Sequence, residues 1–431
     1  MKRVAVIGGG VSGLATARAL AADAEVTLFE QDDRLGGHAH TVPLTLDGVS
    51  HGVDTGFLVF NHRTYPKLVR LFDELGVETA PAEMSFSVQV PQQGLEWSGS
   101  SLDTVFAQRA NLLRPRFYGM LVDILRFNRL ASALAVSTGG PDTLEPVADF
   151  LQRHRFGRAF VDDYLLPMVA CIWSCPTAQM LRFPIACLVR FCHNHGLLQV
   201  SDRPQWFTVR GGSRHYVDRM LPRTVRRCLA TPARRVERQG MGVSVCTDQG
   251  RMRFDDVVLA CHSDQALGLL ADADADERAL LGAIRYQANE VLLHTDERLL
   301  PRRRKAWAAW NYERASTAAD ERSQVCLHYL INRLQPLPWS RPVVVSMNPV
   351  RAPAPASVFG RWEVQHPVFD AAAIAAQRQL PGLQGRRSTW FAGAWTGYGF
   401  HEDGLASALD VAAALRQSWR TTAPRQPALA A

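Results

Sequence analysis

Residues 4–17 read VAVIGGGVSGLATA, and few folds accept such a stretch. A β-type apolar run over residues 4–7 meets a glycine turn, and a helix-favouring segment over residues 14–20 follows. Gly8, Gly10 and Gly13 fall at G-x-G-x-x-G spacing. In that spacing the first glycine makes the tight turn, the second admits a close backbone approach, and the third lets helix and strand pack together. The helix start, with Val11 and Ser12, aims unpaired N–H groups at whatever sits over the turn, which suits a pyrophosphate. A second apolar strand over residues 26–29 ends in Glu30, 22 residues beyond Gly8, where a carboxylate meets a ribose hydroxyl. Strand, turn, helix, strand and acid fall in the order a dinucleotide requires. A glycine-rich turn before an ordinary helix would not need all five.

A chain of 431 residues exceeds what one core normally supports, so two domains are expected. With 47% hydrophobic and 21% charged residues it is globular. The net charge of +7 favours an anionic partner, namely a nucleotide, a phospholipid or a nucleic acid. No helix-turn-helix, zinc-finger or RNA-binding signature accompanies it, so we expect no nucleic acid. Eight scattered cysteines and a start directly on a strand lead us to expect a cytoplasmic protein. Cys171 and Cys175 read as core thiols. The most apolar stretch, residues 164–189, is broken by Pro167, Pro176, Arg182 and Pro184 and is not expected to span a membrane.

Further along, Gly36 and Gly37 form a second glycine doublet, which a cofactor with a longer body would need. Asp54 and Gly56 lie in DTGF, a turn where backbone can approach a flat ligand. This order of motifs resembles the flavin-containing amine oxidase superfamily, with its phytoene-desaturase and protoporphyrinogen-oxidase branches. Three other segments match it in the correct order: VRGGSRHYVDRM (209–220), FDDVVLACH (254–262) and WFAGAWTGYGFHEDGLASALDVAAAL (390–415).

The resemblance implies an α/β fold, with a Rossmann-like FAD-binding domain of the glutathione-reductase type and an inserted α+β substrate domain of mixed or antiparallel sheet. It implies noncovalent FAD, since no cysteine follows Cys326 to form a C-terminal link. The FAD domain is expected over residues 1–60, 200–265 and 385–420, the substrate domain over 61–199 and 266–384, and a flexible tail over 421–431. Beyond the glycines, Val11, Ser12 and Glu30, the cofactor-binding residues implied are Gln31, Arg34, His38, Thr55, Gly56, Phe57, Val236, Ala260, Gly393, Asp403, Gly404 and Leu405. Residue patterns add a helix over 64–75, a strand pair over 84–97, a mostly helical stretch over 111–200, and strands near 291–294, 307–312, 325–330 and 343–347.

A flavin carries the redox chemistry, so the protein's part is position and electrostatics. Gly404 and Leu405 are expected to open the last helix, with their N–H groups facing the flavin, and Asp403 to serve as its N-cap. Tyr398, His401 and Glu402 precede them as catalytic candidates; the alternative is that His401 and Glu402 only cap the helix and brace the loop. Trp173, His193 and His195 are candidates to line an apolar substrate cleft, against the alternative of core packing. No metal site is expected, because no further ligand completes His193-x-His195. Three departures weaken amine oxidation: residues 285–296 lack the superfamily's lysine, Ala394-Trp395 follows F-A-G where an acid is usual, and His38 replaces an arginine.

Several segments, among them DTGFLVFNHRTYP, DDYLLPMVACIWS and FCHNHGLLQVSDRPQW, resemble a narrower bacterial subgroup of flavoproteins. That subgroup is associated with cyclopropane-fatty-acid-synthase-like methyltransferases and includes the desaturase of furan fatty acid formation. The resemblance implies a desaturase or dehydrogenase that moves hydride from a methylated, unsaturated acyl chain to flavin N5, with a lipid substrate and a methyltransferase partner. Two alternatives stand beside it: an amine oxidase acting on a small amine or amino acid, and an FAD-bearing lipid-binding partner of the methyltransferase. Two stretches suggest peripheral contact with the inner membrane surface. Residues 114–134 place Phe117, Met120, Leu121, Ile124 and Leu125 on one helical face with arginines beside it. Residues 301–310, PRRRKAWAAW, set four cations beside two tryptophans. A core-facing helix and a solvated loop are the competing readings.

Overall fold

The computed structural model describes residues 1–136, 144–199, 203–238, 240, 242–315, 317 and 324–422. The chain divides into two compact units: residues 1–39, 216–284 and 373–431 form the first, and residues 40–215 and 285–372 the second.

The first unit is built on a parallel sheet. Its strands run in the order Arg226–Cys228, Ala24–Phe29, Lys2–Ile7, Asp256–Leu259 and Thr389–Phe391, all parallel. Val4, Val6, Leu28, Val257 and Leu259 are buried, as expected of strands covered on both faces. The turn after the central strand feeds the helix Val11–Leu20, which packs against the last helix, His401–Thr422. A three-stranded antiparallel sheet, Ala233–Glu237, Val243–Thr247 and Gly250–Phe254, completes the unit. This is the Rossmann-like α/β arrangement anticipated for the cofactor domain.

The second unit holds a seven-stranded sheet in the order Val358–Val368, Arg285–His294, Val344–Met347, Cys326–Leu330, Trp310–Glu313, Phe86–Val90 and Leu95–Ser98. Every neighbouring pair is antiparallel except Trp310–Glu313 with Phe86–Val90. One face is apolar and includes Val88, Tyr312, Leu327 and Val345. The opposite face carries a polar row in direct register: Ser98, Ser87, Asn311, His328 and Ser346. All five are fully buried. Ser87 donates to Asn311 and His328 pairs with Ser346 within the row, while Asn311, together with Gln89 and Glu96 further along the same face, supplies partners to the backbone of the irregular chain beside it. Asn311 bonds the N–H and C=O of Ala308, Gln89 donates to the Leu299 carbonyl, and Glu96 accepts from Arg302 N–H.

The unit boundaries differ from those that the family resemblance implies. Residues 40–60 and 203–215 belong with the second unit because the hairpin Thr41–Leu46/Val49–Asp54 is tied to Ser213, and Trp206–Val209 pairs with Phe60–Asn61 and Thr79–Ala82. Residues 266–284 belong with the first, where Ala271 N–H bonds the Val236 carbonyl and Glu277 pairs with Arg238. So do residues 373–384, whose Gln384 side chain bonds Phe391. The last helix continues to Thr422, two residues into the stretch expected to be flexible tail. The expected flexible tail lies, from residue 423 on, outside the described residues.

The helix Pro115–Val136 turns Phe117, Met120, Phe127 and Ala131 into the core. The predicted lipid face therefore packs inward at Phe117 and Met120, while Leu121 and Ile124 are half-buried and Leu125 is exposed. Trp307 and Trp310 are likewise half-buried: Trp307 packs on Leu300, Leu330 and Val344, and Trp310 lies edge-on to Tyr329. Only the cations of that run are exposed.

Candidate functional site

The glycine turn of the first unit is over-determined by backbone contacts. Gly8 has φ +108°, and a Cβ there would meet the Ala260 carbonyl oxygen at 2.7 Å. A Cβ on Gly13 would collide with the Gly8 carbonyl. Gly10 is different: its φ of −74° suits any residue, and a Cβ would meet no atom within 4 Å. The fold itself does not demand glycine at position 10, and the bare backbone there leaves room for a group to come close. The helix beyond starts its ladder with Leu14 N–H on the Gly10 carbonyl, which leaves the N–H groups of Val11, Ser12 and Gly13 without intrahelical acceptors. Gly10, at the N-cap, has no side chain to cap them. That is a built anion cradle.

Glu30 sits at its side. Oε2 accepts Gly9 N–H at 2.5 Å and Oε1 accepts Asp32 N–H at 2.9 Å. Burial raises its pKa, against those two backbone bonds. The glycine doublet docks on the same turn: Gly36 N–H bonds the Gly9 carbonyl at 2.8 Å, Gly10 and Gly36 form a bridge, and Arg34 holds the Gly37 carbonyl at 3.1 Å. Gln31 and His38 are exposed beside this loop. Ala260 bonds Ile7 and abuts Gly8. Val236 is core, with its carbonyl taken by Ala271.

The last helix begins one turn earlier than predicted. Gly404 N–H bonds the Phe400 carbonyl at 3.1 Å, so it belongs to the intrahelical ladder, as Leu405 does one residue further in. Neither amide is an exposed helix end. Asp403 is not the N-cap; it lies within the first turn and reaches back to Phe400 N–H at 2.9 Å. Burial pushes its carboxyl up to about 6, opposed by the Phe400 and Tyr398 N–H groups. A Cβ on Gly404 would meet Ser12 Oγ and Val11 Cγ1, each at 2.9 Å, so the starts of the two helices meet there. Gly393 N–H is held by Ser407, and Gln377 donates to the carbonyls of Trp395 and Gly397 at 2.7 Å each. Gln377 and Ser407, both missed in the sequence, fix the loop that carries Tyr398.

His401 Nε2 pairs with the Tyr216 hydroxyl at 2.8 Å. Burial, and the neighbouring His38, push its pKa down to about 3. His401 is therefore a weak base, and its bond to Tyr216 matches the bracing alternative more closely than the catalytic one. Tyr216 was also missed: residues 209–220 match a family segment, and nothing in that match singles out the tyrosine.

In the second unit, Asp54 is a buried pin. Its carboxylate accepts from Thr41 Oγ1 (2.5 Å), Ser213 N (2.9 Å) and Oγ (2.8 Å), and Gln335 Nε2 (2.9 Å). Burial pushes it up to about 6 against these bonds. It ties the D-T-G turn to the G-G-S segment rather than facing a ligand. Thr55 is buried and bonded to His40, Gly56 is exposed, and Phe57 stacks on Phe60.

Trp173 and His195 lie in an aromatic cluster. Trp173 packs on Phe183 and Phe191, and His195 stacks on Phe191 with centroids 3.9 Å apart. Burial lowers the His195 pKa to about 4. These two follow the core alternative. His193 is half-buried at the helix end.

Among the described residues, one buried group offers mixed metal ligands: Glu313, Cys326 and His328. Arg351 already grips the Glu313 carboxylate through Nε and Nη2 and supplies its counter-charge.

Comparison with known proteins fits this cradle. The profile of the flavin containing amine oxidoreductases matches residues 11–331, well over half of the chain. The chain belongs to that family. Its cofactor is FAD. Two curated relatives are similar in sequence. The carotenoid phi-ring synthase of Streptomyces griseus is 28% identical over 313 residues, 65% of this chain and 57% of the relative. The putative flavin-containing monoamine oxidase AofH of Mycobacterium tuberculosis is 27% identical over 269 residues, 60% and 56% respectively. The matches thus span little more than half the length of these relatives. In fold, the chain is similar to the CLA-producing fatty acid isomerase from P. acnes, with a TM-score of 0.66 and 16% identity over 96% of this chain and 98% of that one. The residues that fit FAD are Gly8 to Gly13 with the helix amides, Glu30, and the Gly36–Gly37 loop.

Proposed function

We propose that this flavoprotein is a desaturase or dehydrogenase of a modified fatty acyl chain, methylated and unsaturated, carried in phospholipid. The observation that carries the reading concerns lysine. The chain has three, Lys2, Lys67 and Lys305, all exposed, and none lies on a strand of the seven-stranded sheet. The lysine expected of an amine oxidase there has no counterpart. Two of the similar proteins, the carotenoid phi-ring synthase and the fatty acid isomerase, are named for long apolar molecules, which supports the same reading.

FAD, when bound, supplies the hydride acceptor. The protein's own tasks are to hold the pyrophosphate on the amides of Val11, Ser12 and Gly13, to fix a ribose with Glu30, and to accept a proton near Tyr398–Glu402. Of the two candidate bases, Glu402 is preferred, because His401 Nε2 is already engaged by the Tyr216 hydroxyl and burial weakens it as a base. A reaction that adds a methyl group to an unsaturated chain would supply the substrate.

The test is anaerobic mixing of purified holoprotein with methylated, unsaturated phospholipid while the flavin absorbance is followed. Bleaching is expected with these lipids and not with their unmethylated parents. Unchanged absorbance across the lipids overturns the reading. A second reading, oxidation of a small amine, is favoured by the kinship with AofH; hydrogen peroxide release on a panel of amines and amino acids would establish it in place of the first.

A further inference from the structure

The helix Pro115–Val136 is apolar on both sides. Its inward face is core, yet its outward face carries Tyr118, Val122 and Leu125 at helical spacing, with Val122 64% and Leu125 60% exposed. The turn leading into it adds Leu113, 87% exposed, and Leu112, whose carbonyl accepts the Tyr118 hydroxyl. Phe106 packs against the Tyr118 ring, which joins the short helix Leu102–Val105 to the same surface, and Leu102 is 79% exposed. Isolated exposed leucines are ordinary, but a contiguous group on one side of one unit marks a binding surface.

The charges around it are one-sided. Residues 102–129 carry five arginines and two aspartates. Asp123 is buried and paired with Arg126. Asp103 is exposed but bound by two cations, Arg109 and Lys305. The second of those pairs brings the run Arg302, Arg303, Arg304 and Lys305, some 200 residues away in sequence, to the edge of the apolar surface. Two segments with no sequence relation thus build one feature, exposed aliphatic side chains edged by a cluster of exposed cations.

We infer that this surface docks the protein on an anionic phospholipid bilayer, with Leu113, Val122 and Leu125 entering the headgroup boundary and Arg302 to Lys305 meeting lipid phosphates. The occupant is lipid rather than protein because the rim keeps an excess of cations even after Arg303, Arg304 and Lys305 pair with Glu96, Glu297 and Asp103, and aliphatic side chains beside cations are interfacial chemistry. No helix among the described residues is long and apolar enough to cross a membrane, so the contact is with one surface only. The inference goes beyond the acyl-chain reading and is read by binding, not turnover.

The experiment is co-sedimentation of holoprotein with vesicles of dioleoyl phosphatidylglycerol or dioleoyl phosphatidylcholine, neither of which carries a methylated chain. Binding to the anionic vesicles is expected, falling with added salt. The pair Val122→Asp and Leu125→Asp should weaken it by about tenfold or more. Arg302→Glu with Arg304→Glu should weaken it by a similar factor, since each basic residue near such a surface is worth roughly fivefold. Flavin absorbance and melting temperature show that each variant is folded. Sedimentation with neither vesicle, or variants that bind like the parent, overturns the inference. So does a lipid-free dimer that either pair of substitutions turns into monomer, because a second copy would then cover the face. Failure of the methylated lipid to bleach the flavin would leave this result untouched.

Discussion

Replacing Gly10 with valine should separate cofactor binding from folding. The backbone at Gly10 is already in the extended region, with φ −74° and ψ −177°, and a Cβ would meet nothing within 4 Å. The folded chain therefore tolerates the side chain, within about 1 kcal/mol either way for the altered helix entry. The cofactor does not. The pyrophosphate must come against the amides that follow Gly10, and losing one charge-assisted bond to such an amide costs about 1.5–3 kcal/mol. That is roughly 10- to 100-fold in affinity. Gly13→Ala is the counter-example, because its Cβ runs into the Gly8 carbonyl and neither backbone can move without shifting strand or helix. It should destabilise the apoprotein by about 3 kcal/mol, at the upper end for overpacking. The assay compares urea midpoints of the two apoproteins, since bound ligand would raise stability by itself, and then titrates each with FAD. Gly10→Val with unchanged FAD affinity, or with an apoprotein as weak as Gly13→Ala, would refute the reasoning.

Asp54→Ala should lower stability by about 3 kcal/mol in chemical denaturation, because the donors of Thr41, Ser213 and Gln335 lose a buried acceptor together. The melting temperature should fall as pH drops from 6.5 toward 4. His195 and His401, pushed down to about 4 and about 3 by burial, and His294, lowered to about 4 by burial and by His328, take up protons in the unfolded chain before they do so in the folded one. Asp54 and Asp403, raised to about 6, act oppositely between 6 and 3.8, and His401→Gln should flatten the acid limb by up to ~3 kcal/mol. Glu402→Gln should keep its flavin yet slow lipid-driven bleaching by ~100-fold or more, whereas Tyr216→Phe should slow it far less.

Much of the first unit was legible because its demands are local. A glycine turn between strand and helix needs no distant partner to be recognised, and Glu30 follows by counting. The start of the last helix was misplaced because HEDGL offers two acids and a glycine, any of which resembles a boundary. What decided it was the Phe400 carbonyl, which a sequence does not display. The strand Val358–Val368 was missed altogether. It contains Gly360 and Pro367, pairs only with Arg285–His294, and buries little but Val368, so its alternation carries no hydrophobic contrast. The helix Pro115–Val136 was recognised but its faces were confused, since apolar residues surround it and periodicity cannot say which stripe meets the core. Ser87, Ser98, Asn311 and Ser346 are unremarkable one by one. Only the register of strands more than 200 residues apart lines them up.

That buried row has a consequence for the surface. Apolar cores are interchangeable to a degree, but here the sheet acts as a printed template that pins the covering chain at set points: Gln89 holds Leu299, Glu96 holds the amides of Arg302 and Arg303, and Asn311 holds Ala308. The cations Arg302 to Lys305 ride on that chain. Their spacing on the outside is thus encoded by side chains that never see solvent. An interior change such as Asn311→Leu would redraw the protein's external field without touching a charged residue.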